Sequence, residues 1–339
     1  TTINKSTDYF NTKLWTGNST DATGITGVGF QPDLTWIKCR SAGENHNLYD
    51  AVRGATKAIS SDTNSAEASY STVLQSFDTD GVTLGTSGWV NQSPKTYVGW
   101  NWKANGSSTV TNNDGATTSY ISHNSTSQFS IIKYTGTGSN TNIGHGLNGK
   151  PDCFITKSLD ASDWHMWNNS FSANERIKIN STGAMTSNTS IFPTLPDATK
   201  IYFGSGGDVN QSGIEYICYA WKNVTGFCKA GSYTGNGNSD GPFIYLGFKP
   251  AFVIQKNTSA TQGWQLQDNK RLGYNPNNYL LQPNDSAAES SVQRIDILSN
   301  GFKVRTTDAG QNTSGNTYIY MAFAEAPLVG TNNVPCTAR

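Results

Sequence analysis

The amino-acid sequence contains three copies of one unit, and this internal repeat constrains the fold more than any other feature. Each copy begins with an aromatic residue followed by Thr-Gly, and a proline follows the aromatic residue by 17 positions. A lysine follows each proline by six positions. The three sets are Trp15, Pro32 and Lys38, then Tyr134, Pro151 and Lys157, then Tyr233, Pro250 and Lys256. The shared spacing predicts three copies of one local structure.

The second half of each copy keeps the same register. An aspartate or asparagine follows the lysine by 12 positions, at Asp50, Asn169 and Asp268. Near the end of each copy, an Asn-Gln-Ser or Asn-Thr-Ser triplet precedes a tyrosine by six positions and a tryptophan or phenylalanine by eleven. These closing pairs are Tyr97 with Trp102, Tyr216 with Trp221, and Tyr318 with Phe323.

The repeats divide the chain into three predicted domains in tandem. The units occupy residues 9–104, 128–223 and 227–325. Each has about a hundred residues, which is longer than a solenoid repeat and long enough to bury its own core. Only residues 223–226 join the second and third units, so we expect these two units to lie close together.

The remaining segments are predicted to lie outside the domains. Residues 105–127 are rich in Ser, Thr, Asn and Gly, which favours a linker or an extended arm. Residues 1–8 form an N-terminal lead, and residues 326–339 form a C-terminal tail.

The pattern within a unit is that of short β-strands. Apolar and aromatic runs are separated by Gly, Asn, Asp and Pro, and no segment shows a sustained helical period. In the first unit we predict strands at residues 9–16, 25–30, 34–40, 47–52, 57–61, 73–77, 82–85 and 96–103.

Two turns indicate that the strands are antiparallel. Asp80-Gly81 and Asn300-Gly301 lie between apolar runs, and these residue types accept the positive φ that a tight hairpin needs. We therefore predict an all-β fold of three tandem antiparallel domains, each a β-sandwich or jelly-roll-like unit. The sequence leaves the choice between these two topologies open.

The charge composition excludes two classes of partner. The chain has 24 Lys and Arg against 24 Asp and Glu. Binding to nucleic acid or to an acidic membrane surface needs a clustered excess of positive charge, so we expect neither partner. No apolar run approaches the length of a membrane span, and no membrane insertion is expected.

The sequence shows no constellation of catalytic or metal-binding residues. The four histidines are far apart, and no Gly-x-Ser-x-Gly motif occurs. The string Asp78-Thr79-Asp80-Gly81 is similar to the start of a calcium loop but lacks the later ligands, so a hairpin turn is predicted there. We therefore expect no enzymatic activity, no catalytic residues, no metal and no cofactor.

Two carboxylates are the repeat-matched candidates for a glycosidase acid pair. These are Asp50 and Asp268. Asn169 stands at the matching spacing in the second unit, which favours a structural turn or cap over acid–base chemistry.

Five cysteines without a Cys-x-x-Cys motif are too few for a disulfide framework. Most are expected to be small buried residues. Cys218 and Cys228 form the one candidate disulfide pair.

Tryptophans in or near predicted loops are the candidate binding residues. A sugar ring can stack on Trp or Tyr while Asn, Asp and Gln satisfy its hydroxyls. The candidates for glycan binding are Trp89, Trp164, Trp167 and Trp264. The tryptophans within predicted strands, Trp36, Trp100, Trp102 and Trp221, are expected to fill cores.

Long strings in the first and third units carry a resemblance to a known family. They occupy residues 9–18, 27–38 and 52–57, and residues 232–237, 269–275 and 322–325. The chain resembles, over residues 9–327, a recurrent uncharacterised domain of tailed bacteriophages, especially marine and cyanobacterial ones. The second unit departs most, since residues 145–151 replace the Gly-Phe-x-Pro turn.

The resemblance implies a role at the surface of a phage particle and brings no catalytic residues. The first hypothesis is a non-enzymatic virion protein, such as a tail fibre, capsid fibre or decoration protein, involved in host attachment. Other virion proteins and further copies of the chain are its expected partners. A lectin-like module that binds a host surface glycan and a depolymerase that cleaves surface polysaccharide are the two alternatives.

Overall fold

The computed structural model describes residues 3–271, 274–329 and 335–337, and these residues form antiparallel β-sheets. Within these ranges, helix is confined to a 3-10 turn at Ser6–Asp8 and one α-helical turn, α1, at Gly207–Asn210. The prediction of an all-β antiparallel fold is confirmed. Residues 1–2 of the predicted lead, and 330–334 and 338–339 of the predicted tail, lie outside the described residues.

The first repeat contributes one large and one small sheet. Its strands are β1 (Phe10–Thr16), β2 (Thr23–Thr26), β3 (Leu34–Cys39), β4 (Asn47–Asp50), β5 (Lys57–Ser60), β6 (Ala68–Ser69), β7 (Leu74–Asp78), β8 (Gly81–Leu84) and β9 (Thr96–Trp102). The large sheet has the order β1-β9-β3-β4-β5-β6, and the small sheet has the order β2-β8-β7. Strand β3 is buried along its whole length because it lies inside the large sheet.

The second repeat keeps this arrangement and extends it. Its strands are β10 (Val110–Asn112), β11 (Ser119–Asn124), β12 (Phe129–Thr135), β13 (Thr141–Gly144), β14 (Cys153–Ser158), β15 (His165–Asn168), β16 (Glu175–Lys178), β17 (Thr186–Ser187), β18 (Lys200–Phe203) and β19 (Glu215–Trp221). The large sheet has the order β10-β11-β12-β19-β14-β15-β16-β17, and β13 pairs with β18.

The third repeat forms two four-stranded sheets. Its strands are β20 (Cys228–Thr234), β21 (Phe243–Tyr245), β22 (Phe248–Asn257), β23 (Gln265–Asp268), β24 (Asn277–Leu280), β25 (Ser290–Leu298), β26 (Gly301–Val304) and β27 (Thr317–Pro327). The sheet orders are β20-β27-β22-β23 and β21-β26-β25-β24. In every repeat, therefore, the strand that carries the first repeated aromatic residue, β1, β12 or β20, pairs with the last strand, and the last strand pairs with the strand that carries the repeated lysine.

The predicted strands of the first repeat each overlap an observed strand. The largest difference is at the second strand, which ends at Thr26 rather than 30. Gly27 and Gly29 have φ of 77° and 93°, and their amides donate to the Asp80 carboxylate at 2.8 and 2.6 Å, which turns the chain out of the strand. The short strand β6 was not predicted.

Both predicted hairpins have two-residue turns. Asp78 pairs with Gly81 between β7 and β8, and Leu298 pairs with Gly301 between β25 and β26. The string at residues 78–81 is thus a hairpin turn, as predicted. The Asp78 carboxylate accepts hydrogen bonds from the hydroxyls of Ser76 and Thr83, both at 2.8 Å.

The prediction of a linker or extended arm at residues 105–127 needs correction, because this segment contributes two strands to the large sheet of the second repeat. Strands β10 and β11 form a hairpin, and β11 pairs with β12 along its full length. Ile121 is 3 % exposed, so the segment does contribute to the core despite its polar composition.

Equivalent residues of the three repeats meet at one axis. Trp102, Trp221 and Phe323 stand at the same position in the last strand of each large sheet. Their ring centroids are 6.3 Å apart for Trp102 and Trp221, 5.4 Å for Trp102 and Phe323, and 6.2 Å for Trp221 and Phe323. The large sheets therefore face one another around an approximate threefold axis.

Backbone hydrogen bonds close the repeats into a ring. The Glu67 amide of the first repeat donates to the Leu159 carbonyl of the second at 2.8 Å. Met185 of the second repeat donates to Thr258 of the third at 3.0 Å. Glu289 of the third repeat then donates to Arg40 of the first at 2.8 Å. The same strand-end contact thus recurs at all three boundaries.

The expectation that each unit buries its own core is corrected by the way the units pack. One continuous cluster of buried apolar side chains includes residues of all three repeats. A second cluster fills the space between the two sheets of the first repeat. The units share a core because their large sheets turn an aromatic face toward the axis.

The closing tyrosine of each repeat explains the fixed spacing of the sequence. The Tyr97 hydroxyl donates to the Gly88 carbonyl at 2.8 Å and accepts from the Gln92 amide at 2.9 Å. Tyr216 and Tyr318 make the same pair of bonds in the other repeats. A Cβ at Gly17 would lie 2.4 Å from the Gln92 carbonyl oxygen, so only glycine fits against this corner.

Truncation at the axis tests the shared core. Trp102 is 3 % exposed and contacts rings from all three repeats, so Trp102→Ala should lower the free energy of unfolding by about 3–5 kcal/mol. Urea unfolding measures the change. Tyr120→Ala, at a ring that is 49 % exposed, is the control and should change stability by less than about 0.5 kcal/mol. Equal effects of the two variants would contradict the shared core.

Candidate functional site

Two of the four candidate tryptophans are buried at boundaries between repeats. Trp164 and Trp264 are each 1 % exposed. The Trp164 indole N–H donates to the Ser60 carbonyl of the first repeat at 2.8 Å, and that of Trp264 donates to the Lys178 carbonyl of the second at 2.9 Å. Their burial contradicts a role in stacking on a sugar at the surface.

Trp167 is buried as well and belongs to a strand rather than a loop. It lies in β15, is 1 % exposed and stacks on Phe154 with ring centroids 5.6 Å apart. The Lys150 ammonium lies 5.2 Å from its ring. The prediction of Trp167 as a sugar-stacking residue is therefore wrong for the same reason.

Trp89 is the candidate that the structure leaves partly accessible. It is half-buried in the loop between β8 and β9, where its amide donates to the Ser87 hydroxyl at 3.2 Å. Tyr70 follows β6, is 42 % exposed and meets the Trp89 ring edge to face at 5.2 Å. We call these two rings the aromatic platform.

Charged and amide groups lie around Gly88, the residue before Trp89 in the sequence. A Cβ on Gly88 would be 2.9 Å from Gln92 Oε1, 3.1 Å from Glu44 Oε1 and 3.4 Å from Lys95 Nζ. Lys95 and Glu44 form an ion pair at 2.5 Å, with each side chain 22 % exposed. A carboxylate, an ammonium and an amide are groups that can bind the hydroxyls of a sugar.

The aromatic platform exists in one repeat of the three. Counting two positions back from the matched Asn91, Asn210 and Asn312, the residues equivalent to Trp89 are Asp208 and Gly310. Sequence reasoning missed Tyr70, although it is the only aromatic residue among residues 60–73, a polar stretch where an aromatic has little to bury against.

Asp50 and Asp268 are structural ion pairs rather than an accessible acid pair. Asp50 Oδ2 lies 2.5 Å from Arg53 Nε, and Asp268 Oδ2 lies 2.6 Å from Arg271 Nε, with all four side chains fully buried. The Arg271 guanidinium and backbone amides offset the burial of Asp268 and hold the pKa of that carboxyl below its usual value. Neither acid can reach a polysaccharide in solvent.

The residue equivalent to these aspartates in the second repeat is Asn168, not Asn169. Leu34 pairs with Asp50 and Phe252 pairs with Asp268, while the matching Cys153 pairs with Asn168. The hairpin between β14 and β15 is one residue shorter than its counterparts, which shifts the spacing. The side-chain Oδ1 of Asn168 accepts a hydrogen bond from the Ser170 amide at 3.0 Å, so the predicted role as a turn cap belongs to Asn168.

A polar cluster around Asp208 has the wrong order for nucleophilic catalysis. His165 Nε2 lies 2.9 Å from Asp208 Oδ2, and the Ser162 hydroxyl donates to Oδ1 at 2.6 Å. A catalytic serine needs the imidazole between itself and the carboxylate, whereas here the carboxylate lies between them. Burial lowers the pKa of His165, and the bond from His165 lowers the pKa of Asp208.

The described ranges also contain no other obvious chemical centre. They hold no group of three or more His, Cys, Asp or Glu placed to bind a metal ion. All five cysteines are free, so the candidate pair of Cys218 and Cys228 does not form a disulfide. The axial cavity of about 30 Å³ is lined by apolar side chains, and a space of that size and chemistry suits no polar ligand. No helix of this part of the chain could span a membrane.

The repeated lysines are buried and bind carbonyl oxygens. Lys38 donates to the Ser286 carbonyl of the third repeat at 3.0 Å, and Lys256 donates to the Thr182 carbonyl of the second at 3.2 Å. Lys157 donates to the Asp160 carbonyl at 2.8 Å. Burial lowers the pKa of each of these ammonium groups to about 8. Two of the three lysines therefore join neighbouring repeats without a carboxylate in direct contact.

The chain belongs to a protein family described as a domain of unknown function (DUF7483), whose model matches residues 5–327. The matched region includes all three repeats, so the family unit is the whole ring rather than a single repeat. No curated protein and no solved structure matches the chain.

The buried lysines predict a specific pH dependence of stability. In the folded chain Lys256 loses its proton near pH 8, while in the unfolded chain it keeps the proton until about 10.5. The unfolded state thus binds more protons between these values, and this lysine makes the fold more stable as pH rises. The free energy of unfolding of the native chain, minus that of Lys256→Met, should rise by about 2–3 kcal/mol between pH 8 and 10.

Urea unfolding at pH 7, 8, 9 and 10 measures this difference. Subtracting the variant removes the contributions of cysteines and tyrosines, which titrate in the same range. Lys5→Met, at a side chain that is 70 % exposed, is the matched control and should give a flat difference. A flat difference for Lys256→Met would show that its ammonium is not buried at neutral pH.

Proposed function

We propose that this chain is a non-enzymatic structural protein of a bacteriophage virion, a tail fibre, capsid fibre or decoration protein exposed on the particle surface. The observation that carries the proposal is the closure of three repeats around one axis within a single chain. Phage fibres are usually homo-oligomers, and a chain with three tandem repeats can reproduce the geometry of a trimer by itself. The phage-like strings of the first and third repeats point the same way.

The use of the repeat-matched residues supports a structural role. The lysines, the closing tyrosines and the buried aspartates all bind backbone or side chains of the protein itself. In an enzyme, by contrast, some of the polar residues that recur at matched positions would face a cleft. We do not extend the proposal to a depolymerase, because the two matched carboxylates are buried and paired with arginine.

The finer architecture is part of this proposal. Each repeat contains two antiparallel sheets, which suits three tandem β-sandwich or jelly-roll-like units that share a core. Other virion proteins and further copies of the chain would bind the outer surface of this ring. A contribution to host attachment follows from exposure at the particle surface.

Mass spectrometry of purified particles tests the virion assignment. Particles of a phage that encodes this chain, purified through a density gradient, should yield peptides from all three repeats. Particles without the chain, mixed with recombinant protein before the gradient, control for adventitious binding. Peptides at or below the level of that control would refute the proposal.

A lectin-like role is the second candidate, and the aromatic platform favours it. The exposed Tyr70 packs against the half-buried Trp89, and Glu44, Lys95 and Gln92 lie around the neighbouring Gly88. Stacking on the rings would hold the apolar face of a sugar, while the polar groups would bind its hydroxyls. The ligand would be a host surface glycan, and the platform would be a receptor-binding site within the virion protein.

A glycan array of lipopolysaccharide and capsule sugars tests this role. For any sugar on the array that the native chain binds, Trp89→Ala should reduce binding by tenfold or more. Tyr70→Ala should reduce binding of the same sugar to a smaller extent. Tyr245→Ala, at a ring that is 54 % exposed and distant in sequence, is the control and should bind like the native chain. Binding that survives Trp89→Ala would place the glycan elsewhere.

A further inference from the structure

We propose that the buried side chains at the three repeat boundaries are matched in pairs, so that each repeat accepts one particular neighbour on each side. Each boundary joins two faces. One repeat supplies a turn face, which is formed by the Asp or Asn at the end of β4, β15 or β23, by the residue three positions later, and by the residue whose amide makes the boundary hydrogen bond, Glu67, Met185 or Glu289. The next repeat supplies a strand face, formed by the residue two positions before its axial aromatic.

The boundary between the first and second repeats is polar. On the turn face, Asp50 pairs with Arg53, and the Arg53 guanidinium also reaches Glu67 at 3.1 Å. On the strand face, the Tyr219 hydroxyl donates to Asp50 Oδ2 at 2.7 Å. Asp50, Arg53 and Tyr219 are buried, so the acceptor, the cation and the donor satisfy one another away from water.

The boundary between the third and first repeats has the same chemistry. Asp268 pairs with Arg271, which reaches Glu289 at 3.0 Å. The donor on the strand face is the Trp100 indole, whose N–H lies 3.1 Å from Asp268 Oδ2. Two different residues, Tyr219 and Trp100, thus supply a donor at the same position.

The boundary between the second and third repeats carries no charge at any matched position. Asn168 replaces the aspartate, and Phe171 stands where the other repeats have arginine. Met185, whose amide makes the boundary hydrogen bond, replaces the glutamate. On the strand face, Met321 replaces the donor. All four positions change together, and the Asn168 side-chain nitrogen has no hydrogen-bond partner.

The distribution of these faces allows one order of repeats around the axis. The first repeat has a charged turn face and a donor, the second has only the donor, and the third has only the charged turn face. In the observed order each charged turn face meets a donor, and the uncharged turn face of the second repeat meets Met321. In the reverse order two of the three boundaries would be mismatched. A mismatch leaves a buried charge or donor without its partner, which costs far more than a matched pair gains.

A swap that conserves composition tests the matching in the full chain. The mismatched variant exchanges the turn faces of the first two repeats and leaves the strand faces in place. The rematched variant carries the same exchange of turn faces and also exchanges the strand faces of the second and third repeats. The first set is Asp50→Asn, Arg53→Phe, Glu67→Met, Asn168→Asp, Phe171→Arg and Met185→Glu, and the second set adds Tyr219→Met and Met321→Tyr.

The rematched variant is expected to recover most of the stability that the mismatched variant loses. The readouts are the urea midpoint and the yield of soluble monomer. Both variants contain the same turn-face residues, so a difference between them reports on the pairing and not on composition. Equal midpoints, or equal yields if neither unfolds reversibly, would overturn the proposal.

A milder cycle decides the question if both variants fail to fold. Tyr219→Phe removes only the hydroxyl that binds Asp50 and should shift the urea midpoint clearly downward in the native chain. In a background that carries Asp50→Asn, Arg53→Phe and Glu67→Met, the same change should have no effect or raise the midpoint. An equal downward shift in both backgrounds would mean that the two faces act independently.

Discussion

The contact of Trp102, Trp221 and Phe323 at the axis is the interaction on which the rest of the molecule depends. These rings stand at the same position in the strand that closes each repeat, so their meeting fixes which face of every sheet is buried. Once those faces are turned inward, the loops at one end of each sheet lie against the neighbouring repeat. The boundary hydrogen bonds, the buried lysines and the buried tryptophans all follow from that placement.

Apolar burial at the axis is not directional and would tolerate several arrangements of similar sheets. The polar groups at the boundaries add direction, because a buried carboxylate or lysine has to find its partners at fixed distances. Asp50 is satisfied by a tyrosine of the next repeat, and Lys38 by a carbonyl of the preceding one. The aromatic core thus supplies most of the driving force, and the polar contacts select the geometry.

The repeat spacing was enough to predict the local structure, because a corner such as that of Tyr97 is made by residues close in sequence. The strands of the first repeat and both hairpins followed from the same short-range signals. Asn168 was misplaced by one position, since a deletion within a hairpin is invisible to a spacing count. The burial of Trp164 depends on a carbonyl of another repeat, and no local pattern reports that contact. The pairing of Tyr70 with Trp89 escaped prediction for the same reason: the two rings come from different loops.

The short segment at residues 223–226 shows what a ring built from one chain gains over a ring of three separate subunits. A short tether keeps neighbouring modules at an effective concentration in the millimolar range, so dilution does not dissociate them. In a ring of three identical subunits every substitution would appear three times. In a single chain it appears once, so the three repeats can diverge in sequence. The lone aromatic platform, set in one module of three, is such a divergence. A ligand held there would be bound with a valency of one per ring, and avidity would come only from the number of rings displayed together.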